Sequence, residues 1–143
     1  MLAAMQAHDV RRIVSVSSKN LARGGTRGDP PLFRFVLGPL LHAVNRTLYE
    51  DMRRMERLLR DSDRDWTIVR PAGLFAADQV SAYRSTTQHQ PGVFTSTADL
   101  AAALLAEATS DQPHLRAVLE VMTDRDTPTL VELIAGQAAL HRR

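Results

Sequence analysis

The 143-residue chain is long enough for one modest core, and its 44% hydrophobic and 24% charged content are those of an ordinary globular domain. It has no cysteine, which excludes a disulfide framework, thiolate metal sites and cysteine nucleophiles. The formal net charge is only +2, and the Arg residues are scattered among acids without an aromatic stripe, which argues against nucleic-acid binding. No run of about 18 apolar residues offers a membrane span. The first residues lack a basic leader with a long apolar stretch, so a cytoplasmic protein is expected.

In chain order, residues 2–7 read as the end of a helix without a capping residue, which leaves its first N–H groups unpartnered. Residues 12–17, with Ile13, Val14 and Val16, suit a short buried strand. Residues 17–31 are rich in Ser, Gly, Asn and Pro and predict a loop. Residues 32–41 predict a short helix broken at Gly38 and Pro39. The strongest helix signal spans 45–61, where Leu48, Met52, Met55, Leu58 and Leu59 repeat at intervals of three and four as the expected core face. A second strand is predicted at 66–70, stopped by Pro71 and Gly73. Residues 92–96 read as a short extended piece. Thr97 is then the expected N-cap of a helix running to about 109, with Asp99 adding negative charge to its first turn. A third strand at 119–123 and a last helix capped by Thr127, with Pro128 at its first position, complete the pattern. Alternating strands and helices predict a parallel sheet with crossover helices in a single domain, 1–143.

Three passages carry a resemblance. Val10 through Ser18 (V-R-R-I-V-S-V-S-S) resembles the strand of short-chain dehydrogenase/reductase proteins that closes on a serine pair. The helix from Asp51 to Ser62, followed by D-W-T-I-V-R-P at 65–71, resembles the atypical members of that superfamily, the NmrA-like and flavin reductase (biliverdin reductase B)-like proteins. Thr97-Ala98-Asp99-Leu100-Ala101 is similar to a later helix start in the same group. The resemblance implies an α/β fold: a partial Rossmann-type, doubly wound parallel sheet of about three strands with flanking helices. It further implies that the N-terminal, glycine-rich half is absent and that this chain is the C-terminal part of the domain. The implied function is that of an NAD(P)-binding oxidoreductase, passing hydride from NAD(P)H to a flavin, quinone or similar small acceptor. The alternatives are a non-catalytic NmrA-like sensing module and a non-functional fragment.

The implied cofactor is NADP or NAD, yet its phosphate cradle has no counterpart here. The densest glycine stretch, Arg23-Gly24-Gly25-Thr26-Arg27-Gly28, is followed by Pro30-Pro31 and does not open a helix, as the dinucleotide fingerprint requires. The expected catalytic residues are Ser17 and Ser18. The expected cofactor contacts are Ser17, Pro71, Ala72 and Gly73, since open parallel sheets bind ligands outside the carboxyl ends of their strands. The superfamily's Tyr-x-x-x-Lys pair is not in register: counting from Glu56, its positions hold Leu48 and Met52, while Tyr49 and Arg53 lie one residue away. The five histidines share no ligand spacing, so no metal is expected. Expected partners are a small-molecule substrate and, through an exposed sheet edge, further copies of the chain. Neither nucleic acid nor membrane is expected as a partner.

Overall fold

The computed structural model describes residues 1–21, 31, 35, 39 and 46–124. The glycine stretch at 23–28, most of the helix expected at 32–41 and the last helix expected from Thr127 lie outside the described residues.

Helix α1 (Leu2–Ala7) has Met1 at its N-cap and no side-chain capping bond. It ends where Val10 N–H donates to Met5 O at 2.8 Å and Asp9 takes φ 51°, a left-handed turn that Asp tolerates and that sends the chain into β1 (Arg12–Val16). A 3₁₀ turn (Lys19–Leu21) follows. Helix α2 (Arg46–Arg60) then crosses over to β2 (Asp65–Pro71). After β2 come the short strands β3 (Gly73–Phe75), β4 (Tyr83–Thr86) and β5 (Phe94–Ser96), helix α3 (Thr97–Thr109) and strand β6 (Ala117–Thr123).

The main sheet has the order β1-β2-β6-β4. Strands β1, β2 and β6 are parallel, with Val16 beside Val69 and Pro71 beside Val121. The expected parallel α/β sheet is therefore present, with one correction. Among the described residues it has four strands rather than about three, because β4 adds to β6 in the antiparallel sense. Its sequence, Y-R-S-T, is short, polar and only half-buried, as suits an edge strand, and it lacks the apolar run that marks the parallel strands. Strands β3 and β5 form a separate parallel pair.

Period-two alternation assigns each strand residue to a face. Ile13, Trp66, Ile68 and Val118 pack with Leu59 and Met55 of α2 and Leu2 of α1. Val14, Val69 and Val121 pack with Leu100, Ala103 and Leu104 of α3. Covered on both sides, β2 is buried from Trp66 through Val69.

Helix α2 is rotated relative to the apolar repeat. Its buried residues are Tyr49, Glu56 and Leu59, whereas Leu48 and Leu58 are 51% and 54% exposed. The reason is Arg70, which alternation puts on the α2 face of β2 and which needs a carboxylate there. Glu56 turns inward to supply it and sets the phase of the helix.

Candidate functional site

Alternation also explains what gathers at the carboxyl ends of the strands. Ser17 continues β1 on the α2 face, and its N–H donates to Val69 O at 2.8 Å, tying it beside β2. Its side chain is buried, and the hydroxyl makes no well-formed hydrogen bond, although it lies near enough to Glu56 to favour that carboxylate's ionised form. Ser18 is half-buried, and its carbonyl accepts from Leu21 N–H in the 3₁₀ turn. Lys19 is 6% exposed and donates to Gln90 O at 2.6 Å and Gly92 O at 2.8 Å, pinning the segment before β5 against the end of β1.

Pro71 and Ala72 are buried at the end of β2. Ala72 N–H donates to Thr95 Oγ1 at 2.9 Å, and Thr95 Oγ1 donates to Val121 O at 2.6 Å, so one buried hydroxyl locks three strands. Gly73 N–H donates to Val93 O at 2.9 Å, and a Cβ on Gly73 would stand 2.9 Å from that same oxygen. Only glycine fits this crossing. Gly73→Ala is expected to cost about 1–3 kcal/mol through displaced backbone, measured by urea denaturation. A wild-type midpoint would show that the approach is not tight.

The end of β1 thus places Ser17 beside β2 at Val69, and Pro71, Ala72 and Gly73 follow just downstream.

Beside it lies a cluster that the sequence reading missed. Asp99 is fully buried, and its carboxylate accepts from Ser81 N–H at 2.6 Å, Ser81 Oγ at 2.9 Å and Thr123 Oγ1 at 2.5 Å. Burial pushes this carboxyl up, but the donors from Thr123, Ser81 and Ser96 more than offset it and hold it below the usual aspartate value. The N-cap of α3 is Ser96 rather than Thr97: Ser96 Oγ accepts from Asp99 N–H at 3.0 Å. Ser96-x-x-Asp99 has the capping-box spacing, the signal that identifies the true cap. Asp99 uses its carboxylate to hold Ser81, and next to it a cleft of about 590 Å³ opens among Phe75, Asp78, Val80, Ser81 and Ser96.

On the α2 face, Glu56 is 3% exposed and receives Arg70 through both oxygens, Nε at 2.8 Å and Nη2 at 2.6 Å, with Arg60 Nη2 at 3.1 Å. Burial raises this carboxyl. Hydrogen bonds from Arg70, the nearby Ser17 hydroxyl and the charges of Arg70 and Arg60 outweigh it, leaving the group below its ordinary value. Tyr49 is buried, and Arg53 donates to Leu21 O. Both therefore turn inward, while Leu48 is half exposed. Among the described residues no group of three or more His, Asp or Glu side chains is placed to hold a metal, and no helix is long and apolar enough to cross a membrane.

Residues 1–111 match the family described as NAD(P)H-binding. The chain belongs to that family. The cofactor class of the NAD(P)H-binding fold is NAD(P), and the solved structures agree on the fold. A short-chain dehydrogenase/reductase from Veillonella parvula DSM 2008, solved in complex with NADP, superposes with a TM-score of 0.70 at 17% identity, over 90% of this chain and 59% of its own. ChuY, an anaerobillin reductase from Escherichia coli O157:H7, gives 0.65 at 20% identity, over 90% and 57%. A Rossmann-fold NAD(P)-binding family protein from Shigella flexneri gives 0.56 at 25% identity, over 90% and 55%. The chain thus spans less than two thirds of the length of those structures. No curated protein matches it significantly.

Proposed function

We propose that this chain forms the nicotinamide and acceptor side of an atypical short-chain reductase, in which the protein positions NAD(P)H against a flavin, quinone or similar small acceptor. The observation that supports this most is the convergence of Ser17 with Pro71, Ala72 and Gly73 at the carboxyl ends of adjacent parallel strands. The orphaned, buried Ser17 hydroxyl and the small residues at the end of β2 are compatible with a planar carboxamide-bearing ring approaching the backbone. The bound cofactor supplies the hydride. Ser17 and Ser18 would orient the polar edge of the ring, and Pro71, Ala72 and Gly73 would leave room for its approach.

The dinucleotide's phosphates find no glycine-rich, helix-opening cradle in these 143 residues, so a complete site needs one from elsewhere. Calorimetric titration of the chain with NADPH is therefore expected to give no dissociation constant tighter than about 1 mM. Clear micromolar binding would overturn this division of the site. NADPH oxidation with flavin or quinone acceptors is expected only when a glycine-rich half is supplied.

The absence of a tyrosine–lysine pair in register keeps a second reading alive, a non-catalytic, NmrA-like NAD(P)-sensing module. Dinucleotide binding by the completed site without turnover of any acceptor would favour it. We further propose that the edge of β1 facing away from β2, which has no strand partner among the described residues, is where copies of the chain associate.

A further inference from the structure

One charged cleft lies on the opposite side of the strand ends from Asp99. Arg53, Arg57 and Arg60 follow one another at intervals of four and three along a flank of α2, and Arg70 rises from β2 beside them. With Leu21 and Glu56 they line a cleft of about 320 Å³. Four guanidiniums meet a single carboxylate, and that carboxylate is already taken on both oxygens by Arg70 and Arg60. Arg53 donates to Leu21 O. The Arg57 side chain is exposed and forms no hydrogen bond or ion pair with any described residue.

Like charges at these helical spacings repel, and among the described residues that line the cleft Glu56 is the one carboxylate. A guanidinium presents a planar fork of donors that matches two oxygens of a carboxylate or a phosphate. Leu21 lies in the turn after the carboxyl end of β1, and Arg70 is next to last in β2, so the cleft is on the ligand-binding side of the sheet.

We infer that this cleft is an oxyanion site that takes the carboxylate or phosphate of a small molecule, with Arg57 as its principal uncommitted ligand and Arg53 and Arg60 flanking it. The identification of that molecule with the acceptor rests on the reductase reading; the site itself does not. It narrows the acceptor from any small oxidant to one that carries an acidic group.

The test is a thermal-shift titration of the full chain, without dinucleotide, by inorganic phosphate and by citrate, each against sodium chloride at matched ionic strength. A saturable rise of about 4 °C at ten times the dissociation constant is expected for at least one of the two anions. Phosphate alone would mark a phosphate-bearing ligand, citrate alone a carboxylate, and both a general oxyanion site. Arg57→Gln should weaken the response about tenfold, and Arg57→Lys, which keeps the charge but loses the fork, by less. Because the Arg57 side chain has no hydrogen-bond or ion-pair partner among the described residues, neither variant should melt below wild type in chloride. No saturable response, or one that Arg57→Gln leaves unchanged, overturns the site. Anion binding with no NADPH oxidation once a glycine-rich half is supplied would leave the site standing and refute the reductase reading. Turnover without anion binding would do the reverse.

Discussion

Replacing Asp99 with alanine is expected to remove about 3–5 kcal/mol of stability, a large share of what a domain of this size holds. The carboxylate is fully buried and is the acceptor for Ser81 N–H, Ser81 Oγ and Thr123 Oγ1. Alanine leaves these donors without their acceptor, and each unsatisfied buried group costs about 1–3 kcal/mol. Asparagine keeps the shape and one acceptor, and the two hydroxyls can rotate, so Asp99→Asn is expected to lose about half as much. The contrast has a pH signature. The folded carboxyl lies below its unfolded value, so the stability it contributes is present above the ordinary aspartate range and is lost as pH falls through the folded value. Urea denaturation of wild type from neutral pH downward should show that loss, and Asp99→Asn should flatten its share of it. A wild-type midpoint for Asp99→Ala would contradict the buried-acceptor role.

Glu56→Ala is expected to cost about 3 kcal/mol. The loss leaves Arg70 without its bidentate partner, on the face of β2 covered by α2, and beside Arg60. The full penalty for a buried pair does not apply, because Arg70 keeps 25% of its side-chain exposure and can recruit water. Glu56→Met combined with Arg70→Met should recover most of the loss, since it removes both charges and fills the space between α2 and β2 with apolar atoms. Glu56 titrates in the same sense as Asp99: its contribution is intact above the ordinary glutamate range and fades as pH drops through the depressed value. Equal destabilisation in the single and double variants, measured as a double-mutant cycle, would refute the pairing.

These two carboxylates also mark where the sequence was legible. The three parallel strands and both crossover helices were readable because apolar runs and helical repeats report the buried faces directly, and Pro71 and Gly73 punctuate β2. Strand β4 was not readable, because a polar edge strand carries no such run. The rotation of α2 was missed for a related reason. A repeat of Leu and Met points to the core face, and Met55 and Leu59 do pack there, yet the ion pair between Glu56 and Arg70 decides the exact phase, and the two residues lie 14 apart in the chain. Ser17 was legible as a strand end, but not the burial of its hydroxyl beside Glu56. Nor does any local spacing announce that Asp99 would reach Ser81 and Thr123, which approach it from separate loops and strands.

The nicotinamide-side assignment is tested most directly by following backbone amides in an NMR titration of the full chain with NADPH. The expected result is weak, fast-exchange binding in the millimolar range, with shifts concentrated at Ser17, Ser18, Ala72 and Gly73. Absence of shifts at about 10 mM, or shifts centred on Gly24, Gly25 and Gly28, would contradict it.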